Sequence, residues 1–386
     1  MDPIYLDYNA TTPIDPEVAE AMRPYLSTYF GNPSSAHWYG TQTKQAVEHA
    51  RQQVAALLHC QPDEIVFTSG GSEANNLAIK GTALAHRARG NHIITSAIEH
   101  PAVIEVCKYL ETQGFDVTYL PVNAAGMVAR EALAQAIRPQ TILLTIMHAN
   151  NEVGTIQPIA DLARLAKAHG IVVHTDAAQS VGKIPTEVAT LGVDLLSVAG
   201  HKLYAPKGIG VLYIRRGLRL DKLIHGADHE RGWRAGTENV LEIVGLGQAC
   251  AVAQRDLAQN MAHMRQQRDR LERGLLQQLT DLRVNGHPEH RLPNTLSMSF
   301  AHLEANQLLA LLRDLAVSSG AACHAGTVDV SAVLTAMRVP LEYAMGTIRF
   351  SVGRMTTTEE IDRAIGLVVQ AVQALRQSTV APSPSR

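Results

Sequence analysis

Short apolar runs alternate along most of this chain with longer stretches in which apolar residues recur every three or four positions. The first kind (EIVFTS, HIITS, VTYLPV, TILLTIM and IVVHTDA) reads as buried strands. The second (GGSEANNLAIKG, PAVIEVCKYLETQG, REALAQAI and IADLARLAKAHG) reads as the helices between them. Regular alternation of this sort predicts an α/β fold with a mostly parallel sheet covered by helices on both faces, and ligand-carrying loops beyond the carboxyl ends of the strands.

Outside that repeat the pattern changes. Helices are expected at 16–26 and 41–58, and a long one at 240–279, whose charged residues beyond Arg255 suggest an exposed connector into a second unit. Strand-like NTLSMSF and TIRFSV flank the helical EANQLLALLRD and SAVLTAM segments. A last helix over 357–376 carries a capping box at Thr357 and Glu360 and an apolar stripe at Ile361, Ile365, Val368, Val372 and Leu375. The expected organisation is a large domain over 15–255, a smaller α+β domain from 1–14 and 256–376, and a disordered tail over 377–386.

Charge narrows the partners. With 34 Lys and Arg against 36 Asp and Glu, a formal charge of -2 gives no basic face for nucleic acid. No uncharged apolar stretch approaches the ~18 residues of a membrane span, and the amino terminus lacks a basic-then-apolar signal, so a cytoplasmic protein is expected. Cys60, Cys107, Cys250 and Cys323 form no C-x-x-C pair, which fits neither a disulfide framework nor a zinc ribbon.

The segment SVAGHKLYAPKGIG places Lys202 in a glycine- and proline-rich turn after an apolar run. Most lysines are solvated surface charges. One held against buried backbone has a lowered pKa and is prepared to form a Schiff base, and a Schiff-base lysine makes pyridoxal phosphate the first candidate cofactor. Asp176, at the end of IVVHTDA, suits a pyridinium nitrogen. The Gly-Gly-Ser start of a helix at Gly71 and Ser72 suits a phosphate, although the same triplet often marks an ordinary tight turn. His100 precedes Pro101 at a strand-to-helix corner, where a histidine is more often a capping residue than a catalyst. Cys323 sits among small residues in SSGAACHAGTVD with His324 beside it, as an exposed thiol that could swing toward a substrate; the other three cysteines lie in or beside helices and read as inert.

Taken together, LDYNATTP, FGNPSS, TSGGSEANN, EHPAV, NNEVG, HTDAAQ, GHK, RAGTEN, GAACHAG and IRFSVGRMTT resemble the pyridoxal-phosphate-dependent cysteine desulfurases and related selenocysteine lyases, over residues 5–376. The resemblance implies a homodimer of the fold-type I architecture in which Lys202 carries the cofactor. It further implies that Asp176 pairs with the pyridine nitrogen, Gln179 contacts the phenolic oxygen and His100 stacks on the ring. Ser72, His201 and the Gly71 backbone would hold the phosphate, with Thr237 reaching in from the neighbouring subunit. Asn151 and Arg349 would orient the substrate, Arg349 by bidentate capture of its carboxylate. Two departures stand out: Ala199 replaces a serine of many relatives, and GADHERG (226–232) stands where a more glycine-rich segment is common.

The implied reaction takes sulfur from L-cysteine onto Cys323 as a persulfide and releases L-alanine, with Lys202 removing the Cα proton and His100 shuttling protons. The sulfur then passes to an acceptor such as an iron-sulfur scaffold. Selenocysteine lyase is the nearest alternative, since Ala322-Cys323-His324 resembles the loop of those enzymes; an aminotransferase would have no use for the thiol, and a non-catalytic sulfur carrier no use for the lysine.

Overall fold

In the computed structural model of the chain, backbone is described for residues 3–324 and 327–380, and side-chain surroundings for all of these except 321–329, 379 and 380. At its centre is a seven-stranded sheet in the order Ile65–Thr68, Gly210–Ile214, Leu195–Ala199, Val172–Asp176, Thr141–Thr145, His92–Ser96, Asp116–Leu120. Every residue of the strands inside the two edges is buried, which is why they read as unbroken apolar runs. Successive residues feed opposite layers: Ile94, Leu144 and Val173 point into one core, Ile93, Leu143 and Val172 into the other.

One strand departs from the parallel reading. Gly210–Ile214 runs antiparallel to both of its neighbours. A parallel return needs a crossover of a dozen or more residues. Only the tight Lys202 turn joins this strand to Leu195–Ala199, so it comes straight back.

A second sheet has Thr295–Phe300 between Leu282–Asn285 and Thr347–Ser351, with Ser318–Ser319 on the far side of the latter. Ile4–Tyr5 pairs with Leu315–Ala316, which brings the amino terminus into this part of the molecule. Its own apolar core includes Leu6, Leu271, Phe300, Phe350 and Val372.

The Val240–Gln278 helix has 39 residues and serves both cores. Leu246, Cys250 and Ala253 pack on the large sheet's core, and Met264, Leu271 and Leu275 on the small one. The expected exposed connector is thus packed along its length, and the charges beyond Arg255 lie on its outer face except Arg268, which is buried and donates to the Leu292 carbonyl at 2.8 Å. Two other boundaries move. The helix expected at 41–58 spans Trp38–Leu58, because His37 caps it by accepting from the Gly40 amide. The last helix continues to Val380, four residues into the expected tail; residues 381–386 lie outside the described residues. Its capping box is present: the Thr357 amide donates to Glu360 at 2.8 Å and the Glu360 amide to Thr357 Oγ1 at 3.2 Å.

The divergent 226–232 segment is anchored from within. Glu230 and Arg231 take left-handed backbone angles, φ 48° and 56°. The buried Glu230 carboxylate accepts two 2.8 Å bonds from the Arg51 guanidinium and one of 2.8 Å from the Phe67 amide.

Candidate active site

Five segments at the carboxyl ends of the sheet's strands, together with Asn9, Ala10 and the Arg349 strand, enclose a cavity of about 300 Å³. Its lining brings together nine of the expected residues: Gly71, Ser72, His100, Asn151, Asp176, Gln179, His201, Lys202 and Arg349. The cavity lies where ligands collect in open α/β sheets.

Lys202 ends the short helical turn Gly200–Lys202. That turn needs glycine at its start, since a Cβ on Gly200 would come within 2.8 Å of Ile209 Cγ2 and 2.9 Å of the Ile209 carbonyl oxygen. The amine donates to the carbonyls of Asn9 at 2.6 Å and Ala10 at 2.7 Å. Burial, reinforced by the Arg349 charge, lowers its pKa to about 8, against the opposing pull of Asp7 and Asp176.

Asp176 is 6% exposed, and its carboxylate is held by two donors. The Ala178 amide reaches Oδ1 at 2.9 Å and Asn75 Nδ2 reaches Oδ2 at 2.7 Å. Asn75 lies one turn into the Gly71–Ala85 helix and its Oδ1 is buried without a partner. The start of that helix supplies the Ser72 hydroxyl, with Gly71 close against the sheet: a Cβ there would sit 3.1 Å from Ala199 Cβ.

His100 fills both roles that its position suggests. Its Nδ1 caps the Pro101–Thr112 helix by accepting from the Ala102 amide at 3.1 Å, while the ring lines the cavity. The ring is open to solvent through the cavity mouth, yet desolvation by surrounding protein, aided by Lys202 and opposed by Asp176, still lowers its pKa. His201 bonds Thr11 Oγ1 at 3.2 Å, and burial takes its pKa down to about 4. Arg349 donates to Asp7 Oδ1 at 2.8 Å, Ser318 Oγ at 2.9 Å and the Asn151 carbonyl at 3.1 Å, and its Nε is buried without a protein partner.

Beneath the site, neutral histidines bond hydroxyls: His92 and His174 cross-link strands, and His148 ties together the loops that follow Thr141–Thr145 and Val172–Asp176. His174 Nδ1 meets Thr145 Oγ1 at 2.8 Å and its Nε2 meets Ser197 Oγ at 3.0 Å. His92 lies between Thr141 and Thr118 at 2.7 and 2.9 Å, and His148 Nδ1 meets Ser180 Oγ at 2.9 Å. Hydroxyls can donate or accept, so a neutral ring is satisfied. Burial lowers the pKa of His92 and His148 to about 4 and of His174 to about 3.

Two expected residues stand apart. Thr237 is exposed and outside the cavity lined by its own chain. Cys323 lies in the Ala321–His324 strand, opposite Val328 in a two-stranded hairpin, so the expected loop is a hairpin; its side chain lies outside the described residues. Burial pushes the thiols of Cys60, Cys107 and Cys250 up to about 12, which keeps them inert. Sequence reading passed over Asp7, Asn9 and Asn75. The first two sit in the quoted LDYNATTP segment, and Asn75 falls three positions after Ser72, on the same helical face.

The residues fit pyridoxal phosphate. An amine with a depressed pKa, a carboxylate held by two N–H donors and a helix amino terminus bearing a hydroxyl converge on one cavity, as its aldehyde, ring nitrogen and phosphate require.

The aminotransferase class-V family matches residues 4–364 of this chain. A cysteine desulfurase IscS of Dictyoglomus turgidum is 47% identical over 381 residues, 98% of this chain and 96% of that protein. Among solved structures, a NifS-like protein superposes with a TM-score of 0.90 at 39% identity, covering 97% of this chain and all (100%) of that one. SspA in complex with cysteine gives 0.81 at 39% identity, covering 92% and 100%. With an amine, a carboxylate and an arginine set in one cavity as pyridoxal-phosphate chemistry requires, and with matches that run nearly end to end, this chain belongs to the cysteine desulfurases of the class-V aminotransferase family, whose cofactor is pyridoxal phosphate.

Proposed function

We propose that this protein converts L-cysteine to L-alanine, takes the sulfur as a persulfide on Cys323 and hands it to an acceptor protein. The observation that carries this reading is the convergence of Lys202, Asp176 and Arg349 on a single cavity. When bound, pyridoxal phosphate supplies the electron sink for negative charge at the amino acid's Cα. Lys202, its pKa lowered to about 8, anchors the cofactor and then takes the Cα proton. Asp176 would keep a proton on the ring nitrogen, Gln179 would meet the phenolic oxygen, and His100 would stack on the ring and shuttle protons. Ser72, His201 and the Gly71 backbone would hold the phosphate. Arg349 binds the substrate carboxylate with Asn151 beside it, having first to share its contact to Asp7.

Sulfur transfer requires the Cys323 thiolate to attack the substrate sulfur. The new Sγ–S bond forms as the substrate C–S bond breaks, the electron pair stays with carbon, and a proton completes alanine. Thr237, remote from its own cavity, completes the site of a second copy in a homodimer; exposed Leu26, Phe30 and Trp38 give such a pairing apolar surface. In the division into a large unit over 15–255 and a small one from 1–14 and 256–376, Arg349 and Cys323 belong to the small unit and Lys202 to the large one. Among the described residues no helix is long and apolar enough to cross a membrane.

The test is incubation of cofactor-loaded protein with L-cysteine, reading alanine and the site of persulfide. Equal amounts of alanine and Cys323-bound sulfur are expected in a single turnover without reductant. A keto-acid product, or alanine without protein-bound sulfur, would overturn the reading.

A further inference from the structure

The cavity contains one amine with an assigned role, and a second amine lies behind it. Lys183 is 4% exposed, follows the left-handed Gly182, and lines a small space beneath Lys202 with Tyr8, Thr12 and Tyr204. Lysines are seldom buried without a carboxylate. Burial, reinforced by two cationic neighbours, Lys202 and Arg349, holds the Lys183 pKa well below the ordinary value. Its Nζ donates instead to two amide oxygens, Gln179 Oε1 at 2.8 Å and Asn9 Oδ1 at 3.4 Å.

Those two amides are themselves part of the site. Gln179 Nε2 donates to the Asn9 carbonyl at 2.9 Å, and the same carbonyl receives Lys202 Nζ. Asn9 Nδ2 reaches Thr295 Oγ1 at 2.8 Å and the Asn151 carbonyl at 3.1 Å. The two ends of a glutamine amide have almost the same shape, so its neighbours decide which end faces where. With an amine against one end and a carbonyl against the other, only one orientation is satisfied: oxygen toward Lys183, nitrogen toward Asn9. The second Nε2 hydrogen is then left for the cavity that Gln179 lines. A reversed amide would set two oxygens together and leave the Lys183 oxygen contact unmade.

We propose that Lys183 is a positioning residue: its buried amine fixes the Gln179 amide so that the cavity is offered a hydrogen-bond donor at the place where the cofactor's phenolic oxygen binds. This rests on the reading that the cavity takes pyridoxal phosphate. Protonated or neutral, the amine has an N–H for Gln179 Oε1, and when it is neutral the Asn9 carbonyl still excludes the reversed amide.

The experiment titrates full-length apo-protein with pyridoxal phosphate and reads affinity and the visible absorption band, alongside thermal melting of the apo-protein. Lys183→Met keeps the length and removes the donor. It is expected to weaken cofactor affinity roughly tenfold and shift the band, as loss of one oriented hydrogen bond predicts. The apo-protein should melt close to wild type, since loss of the partner to Gln179 Oε1 offsets the gain from replacing a desolvated amine with an apolar side chain. Lys183→Gln, which retains an N–H, should recover most of the affinity, and serves as the comparison with Lys183→Leu should the Met variant not fold. Gln179→Leu should cost as much as Lys183→Met, and the double variant no more than the worse single one. Wild-type affinity and band in Lys183→Met, or losses that multiply in the double variant, would overturn the proposal. Failure of the wild type itself to bind pyridoxal phosphate would instead overturn the cofactor reading.

Discussion

Asn75 donates its amide to Asp176 across 2.7 Å inside the protein, and the carboxylate gains its second donor from the amide of Ala178. Both bonds fix the direction of the carboxylate. Asn75→Ala should therefore reduce turnover by roughly ten- to a hundredfold, the range for a hydrogen bond to a charged group of about 1.5–3 kcal/mol. Asp176→Asn should cost more, since a neutral amide cannot hold the ring nitrogen protonated. Both losses belong in kcat more than in KM. Steady-state kinetics with L-cysteine checks this; a change confined to KM in either variant would count against it.

Cofactor loading should follow the Lys202 amine. Only the unprotonated form attacks an aldehyde, and burial with the Arg349 charge brings the pKa to about 8 from the ordinary 10.5. The rate at which apo-protein forms its covalent visible band should rise with pH to a midpoint near 8. Lys202→Ala should form no such band. Arg349→Gln should move the midpoint upward, because a neighbouring cation that disfavours protonation is gone.

Cys323→Ser should keep the cofactor band and L-cysteine binding while alanine formation falls by roughly two orders of magnitude or more, since a serine hydroxyl is too weak an acid to supply an anionic nucleophile. Persulfide labelling of the wild type, read by peptide mapping, should mark Cys323. Sulfur on Cys60, Cys107 or Cys250, whose thiols burial pushes up to about 12, would identify another nucleophile.

Glu99, next to His100, predicts a pH-dependent stability. Its carboxyl is buried, accepts the Ser96 hydroxyl at 2.5 Å and the Met147 amide, and burial raises its pKa from 4.5 to about 8. The folded protein holds a proton there that the unfolded chain has released, so stability falls as pH rises from about 4.5 to 8, by a few kcal/mol in all. Glu99→Gln lacks this dependence. The melting temperature of its apo-protein, relative to wild type, should climb between pH 5 and pH 9; a constant difference would contradict the assignment.

What could be read from the sequence was whatever leaves a local imprint. Strands buried on both faces appear as apolar runs, and loops that end them carry the motifs, so Asp176, Lys202 and the start of the Gly71–Ala85 helix were legible one at a time. The direction of Gly210–Ile214 was not, because antiparallel and parallel strands have the same composition when both are buried. His37 as a cap was missed because histidine is not among the usual capping residues. Asn75 and Asn9 act through partners distant in sequence, 101 positions for Asn75 and Asp176 and 342 for Asn9 and Ser351, and Lys183, although only four positions from Gln179, is tied to the site through Asn9, 174 positions away. Only the folded chain reveals such pairs.

The hydroxyl-bound histidines beneath the cavity make folding a reaction with a proton balance. An unfolded histidine titrates near 6.5, whereas His92, His148 and His174 stay neutral down to about 4 or 3. Near pH 5.5, each ring must give up its proton to be buried, and these three outweigh the single proton that Glu99 takes up. Refolding in weak acid should thus drive the pH of an unbuffered solution down, and acid should unfold the apo-protein by pulling on its interior, not on its surface charges.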